Sequence, residues 1–155
     1  FQYWAVAMVG ARPYGSKDGK TGKKGADRGI DGTSFFIDDS TNKAKTIIVQ
    51  VKSGHVKVGD IRDLVGTIER EKAAMGIFLT LEQPTGPMKR EATEAGFYFS
   101  SGWNKQYPRI QILTIEDILK GERPKQPPHS ITFKEAPKVE QYDPDKPKQS
   151  SMGFE

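Results

Sequence analysis

The sequence contains no cysteine, which excludes a disulfide framework and any cysteine-ligated zinc site and fits a reducing, cytoplasmic setting. Histidine is nearly absent too: with only His55 and His129 there can be no histidine-rich metal centre. No apolar run approaches the roughly 20 residues a membrane-spanning helix needs, and no secretory signal pattern is visible, so no membrane partner is expected. There is no Walker loop, dinucleotide fingerprint or Gly-x-Ser-x-Gly elbow. Acids are missing from the start of the chain, the first being Asp18. Apolar residues make up only 35% of the 155, and the mean hydropathy is −0.64. Those values allow one domain with a modest core.

Order is nevertheless readable. Phe1, Trp4, Ala5 and Met8 recur at helical spacing, predicting a helix over 1–11 with Trp4 as a core anchor. Residues 12–28 are rich in Gly and Lys and predict a loop. Residues 30–38 read as a strand, with Phe35 and Ile37 on one face and Phe36 on the other. The segment 38–44 is polar and predicts a hairpin turn; Asp38 and Asp39 could be ligands, but adjacent acids in a turn are usually turn formers. Residues 45–53 are a strongly β-prone strand. Ile61, Leu64, Val65 and Ile68 predict an amphipathic helix over 59–75, with Gly76 as its stop. Residues 77–81 are apolar on both faces, as suits a strand covered on two sides. Gly86-Pro87 opens a helix that ends at Gly96; strands follow at 97–100 and 109–113, and a short helix capped from Thr114 ends at Gly121. Strands joined by helices predict an α/β fold with a mixed sheet flanked by helices.

Chemistry concentrates in two stretches: Gly25-Ala-Asp-Arg-Gly-Ile-Asp-Gly32, and Ile47-Ile-Val-Gln-Val-Lys-Ser-Gly54. Because strand side chains alternate, Gln50 and Lys52 share one face and Val49 and Val51 the other. Gln and Lys are poor choices for packing alone and sensible ones for holding a metal ion and a phosphate. The glycine-rich turn brings Asp27 and Asp31, a spacing that suits a cation better than an anion. In their order and spacing, Asp31, Gln50 and Lys52 resemble the PD-(D/E)xK nuclease superfamily, and within it the Mrr-like restriction endonuclease branch, whose strand carries Gln-x-Lys in place of Glu-x-Lys. The resemblance covers roughly residues 1–120.

The resemblance implies a restriction-endonuclease-like fold and a Mg²⁺-dependent DNA endonuclease. Asp31 and Gln50 would ligate the metal, and Lys52 would orient or deprotonate the attacking water or neutralise the phosphate. Asp27 either supports the metal shell or only shapes its turn. Some members of the superfamily add an acid from the first helix, where this chain has Gln2, so a second metal site is not expected. The alternative implied function is a DNA-binding accessory module that keeps the fold and cleaves weakly or not at all. A third is a protein-interaction domain that docks through its tail.

The net charge is +4 and the isoelectric point about 9.2. Residues 122–155 hold 6 basic and 6 acidic side chains, so the excess lies before them. Lys20, Lys23, Lys24 and Arg28, with Ser53 after the strand, are the expected DNA contacts; a solvated loop would look the same. Residues 122–155 also carry 6 of the 10 prolines and predict an extended or disordered tail, so the domain is drawn at 1–121. The chain begins at Phe1 inside a helical pattern and is expected to be a piece of a larger restriction or DNA-modification protein. A homodimer would supply the two active sites that a double-strand break requires.

Overall fold

The β-branched run 46–51 becomes the middle strand of five across the sheet, and the rest of the fold is arranged around it. The structure, a computed structural model, describes residues 1–14 and 29–128. In chain order the elements are α1 (Gln2–Met8), β1 (Arg12–Pro13), β2 (Gly32–Phe36), β3 (Lys45–Lys52), α2 (Val58–Glu71), β4 (Met75–Thr80), α3 (Gly86–Glu94), β5 (Phe97–Ser100), β6 (Lys105–Pro108), β7 (Ile110–Thr114) and α4 (Ile115–Leu119). The main sheet runs β1-β2-β3-β4-β7. β1, β2 and β3 are antiparallel, with Gly32 opposite Val49; β4 and β7 then join in parallel. This mixed α/β sheet flanked by helices is a restriction-endonuclease-like architecture. No described helix is long and apolar enough to cross a membrane.

Two apolar layers sandwich the sheet. On one face Ile47, Val49, Ile77 and Leu79 pack against Ala5 and Val6 of α1 and Ile115 and Ile118 of α4. On the other, Ile48 and Phe78 pack against Ile61, Leu64 and Ile68 of α2 and Met88 of α3. All six residues of β4 are buried, as its two-sided apolar run requires. β3 shows why Gln50 and Lys52 stand out: they continue the row of Ile48 past the end of the α2-covered core, where that face becomes half-exposed.

Several expectations need correcting. α2 ends at Glu71, with Lys72 taking the left-handed conformation (φ 55°), and Gly76 lies inside β4. A Cβ on Gly76 would stand 2.5 Å from Ile68 Cδ1, so this glycine lets α2 settle onto the sheet; it does not stop the helix. Trp4 is 41% exposed and Ala5 and Val6 are buried in its place, because the core face of so short a helix is set by the small residues that approach β2. The strand at 105–108 has no clear sequence signal. Its residues, Lys-Gln-Tyr-Pro, have one apolar position facing inward, Tyr107, and it forms a two-stranded ribbon with β5. Asp38 is fully buried, more than a turn former. It accepts from Lys45 Nζ and from the Tyr98 hydroxyl, both at 2.7 Å, and so ties the ribbon to the β2–β3 hairpin. Asp39 does shape the turn, accepting from the Thr41 amide at 3.0 Å.

Candidate functional site

Asp31 lies one residue before β2, where the ladder to β3 runs out. Its amide donates to the Val49 carbonyl at 2.9 Å, and its Oδ2 accepts from the Val51 amide at 2.7 Å. The two bonds bracket Gln50, so the carboxylate extends the hairpin in place of a backbone carbonyl. Oδ1 accepts from Gln2 Nε2 at 2.8 Å. Both oxygens of the expected metal ligand therefore hold hydrogen bonds from the protein, one from the helix position where an acid would have been a second ligand.

Gln50 points to the α2 side. Its Nε2 would lie 3.7 Å from a Cβ on Gly29, and Gly29 has φ +79°. A side chain at 29 would be strained by this left-handed backbone although it would meet the amide at ordinary contact distance, so the conformation explains the glycine there. Among the described residues Gln50 Oε1 is buried without a hydrogen-bond partner. Lys52 reaches the first turn of α2, where its ammonium meets Asp60 Oδ1 at 2.8 Å. Asp60 Oδ2 accepts from the Lys57 amide at 2.8 Å, the reciprocal bond of a capping box. Burial pushes the Asp60 carboxyl up, but the Lys52 ammonium and the Lys57 amide outweigh it and leave it below the ordinary 3.8. The expected catalytic lysine thus already has a counter-ion, and that counter-ion is fixed to a helix end.

The hairpin brings Asp31, Gln50 and Lys52 to one end of the sheet. Ser53 follows on an exposed loop. His55 is exposed, its Nδ1 3.6 Å from Glu82 Oε1. Asp27, Lys20, Lys23, Lys24 and Arg28 lie outside the described residues. Among the described residues no group of three or more His, Cys, Asp or Glu comes together. Mg²⁺ binds through one or two carboxylates with near-ideal octahedral geometry. Asp31, with both oxygens engaged, and the neutral Gln50 are the oxygen donors the hairpin offers.

The family model that matches this chain over residues 12–120 is described as NACHT-associated inactive Restriction Endonuclease 1. The chain belongs to this family. No curated protein and no solved structure matches it. The family's description overturns the expectation of an active metal-dependent endonuclease. In this inactive-endonuclease domain Gln2 and Val51 hold Asp31, while Asp60 holds Lys52. Sequence reasoning does not find two of these partners. Asp60 is legible as a helix-start acid, but nothing in sequence aims it at Lys52. Gln2 stands out in sequence only as the absence of an acid.

Proposed function

We propose that this domain is a catalytically silent nucleic-acid-binding module, carried by a larger protein that also bears a NACHT domain. The observation that carries the reading is the internal pairing of the motif: Asp31, Gln50 and Lys52 keep their places on the hairpin, while Gln2 and the Val51 amide hydrogen-bond Asp31 and Asp60 pairs with Lys52. A fold that keeps its frame without its chemistry is suited to recognition. The charge supports a polyanion as partner, because the excess of +4 falls before residue 122, where the Lys-rich stretch also lies, and phosphate neutralisation dominates nucleic-acid affinity. The family's description supports the NACHT connection. Binding on this reading needs no resident Mg²⁺. The case for a homodimer rested on double-strand cleavage and lapses with it.

The test is binding of duplex DNA, followed by fluorescence anisotropy across a salt series, with Mg²⁺ and with EDTA. Binding should weaken linearly in log–log form in EDTA and should not require Mg²⁺, which as a competing counterion lowers the affinity. Replacing Lys20, Lys23 and Lys24 with alanine should lower the slope by about 0.9 for each phosphate no longer neutralised. Absence of binding at low salt would remove the nucleic-acid reading, and a slope unchanged in the triple variant would clear these lysines of any role. Nicking of plasmid by a clean preparation would overturn catalytic silence.

A further inference from the structure

The β5–β6 ribbon is a two-stranded sheet of its own, and its two faces differ. Inward, the Tyr98 hydroxyl donates to the buried Asp38, and Tyr107 is buried. Side chains alternate along a strand, so Phe97 and Phe99 share the outward face, where they are 60% and 53% exposed. Gln106 lies opposite Phe99, and Pro108 opposite Phe97. Both outward positions of β5 before the turn are thus aromatic and more than half in water, a surface of the kind that marks a binding face. Cations surround it. Phe97 and Pro108 line a groove of about 330 Å³ that Lys125 also borders. Thr93 belongs both to this groove and to a second hollow lined by Lys89, Arg90 and Glu94. Lys105 is exposed at the start of β6. The charged side chains of the ribbon and the two hollows are therefore four cations and one acid. Among the described residues none of the four cations is held in an ion pair.

We propose that the outer face of the β5–β6 ribbon binds single-stranded nucleic acid, with one base stacked on Phe97, the next on Phe99, and the phosphates met by Lys89, Arg90, Lys105 and Lys125. Residues two apart on a strand lie about 7 Å from each other, about twice the 3.4 Å between successive bases along one strand of a duplex. A nucleic-acid strand must be unstacked to lay a base on each ring, which an intact duplex does not offer. Exposed aromatics beside cations fit a polyanion with flat π faces, and such stacking tolerates any base sequence. A second copy of the chain would cover the rings but would bring the same net charge of +4 to a cationic surface. The ribbon meets the turn of the β2–β3 hairpin through Asp38, whereas Asp31, Gln50 and Lys52 stand at the hairpin's other end. The site is therefore separate from the motif and does not depend on duplex binding there.

Binding of a short fluorescent oligothymidylate to the full chain, followed by anisotropy at low salt, tests this. Phe97→Ala and Phe99→Ala should each weaken binding about tenfold, as the loss of one stacked base does. Phe97→Leu, apolar but without a ring, should lose as much, and Phe97→Tyr should bind like the parent. Both phenylalanines are exposed, so the thermal midpoints should stay at the parent's value. Inorganic polyphosphate, an anion without bases, should bind the parent and every variant alike. No binding of oligothymidylate by the parent, equal binding by the alanine variants, retention by Phe97→Leu, or parallel losses for polyphosphate would each overturn the proposal. So would a parent dimer in sedimentation that Phe97→Ala or Phe99→Ala dissolves, since a second copy would then be the occupant.

Discussion

The Gln2 side-chain amide donates to Asp31 Oδ1 at 2.8 Å across 29 positions of sequence, and this bond fixes the first turn of α1 to the mouth of the β2–β3 hairpin. Val6, one helical turn on, comes so close to Gly32 that a Cβ there would stand 2.5 Å from Val6 Cγ1. The helix is thus seated on the hairpin by a polar contact at its start and an apolar one in its middle.

Gln2→Ala should therefore loosen α1. The bond is exposed but charge-assisted, so the expected cost is about 1 kcal/mol, or about 3 to 6 °C in the thermal midpoint of a domain this size. Gln2→Glu should cost more at neutral pH, because it sets two carboxylates against each other, and should recover as the solution is acidified. Thermal unfolding at pH 7 and pH 4 checks both. A Glu variant as stable as the parent at pH 7 would show that the Gln2–Asp31 bond does not seat the helix.

The two partners of the Lys52–Asp60 pair should be unequal. Asp60→Ala removes both the counter-ion of Lys52 and the acceptor of the Lys57 amide, so a loss of about 1 to 2 kcal/mol is expected from the cap alone. Lys52→Met leaves the cap intact and should cost under about 1 kcal/mol, as for a partly exposed ion pair. Urea denaturation ranks them, and equal losses would mean that the cap contributes nothing.

Acid should act through the hairpin turn. Asp39 is held down to about 2 by Lys45 and Thr41. Burial pushes Asp38 up, and Lys45, Tyr98 and Ser100 more than offset it, leaving it below 3.8. Depressed folded-state values mean that the stabilisation is complete above the ordinary value near 3.8 and is lost as pH falls through the folded-state values, toward 2 for Asp39. Lys45→Met should thus lower the urea midpoint clearly at pH 7, with the gap to the parent narrowing by pH 2.5. A gap constant with pH would exclude these ion pairs as its source.

Glycine substitutions should separate close approach from open space. Gly102→Ala would drive a Cβ into the Asp38 backbone carbonyl, which cannot rotate away, and should unseat the β5–β6 ribbon. Gly66, inside α2, has nothing within 4 Å of its Cβ position, so Gly66→Ala should stabilise by about 0.5 to 1 kcal/mol. Thermal midpoints should move in opposite directions, and a Gly102→Ala protein as stable as its parent would show that the ribbon is not packed as described.

Periodicity alone determined most of the element order here. The Ile61–Ile68 spacing, the two-sided apolar run of β4 and the Thr114 cap each encode a local preference that the finished fold keeps. The alternation in β3 likewise placed Gln50 and Lys52 on one face. The tertiary structure decided what those side chains do. A strand pattern states which way Lys52 points but carries no information on whether Asp60, eight residues on at the start of a helix, will turn toward it. Nor does it show that Gln2 will cap Asp31 across 29 positions, or that Asp38 will be buried beneath Tyr98, 60 positions away. Motif spacing is a short-range property, whereas the freedom of a carboxylate or an ammonium depends on neighbours that only long-range packing supplies, and in this domain those neighbours hold the site's charged groups in place.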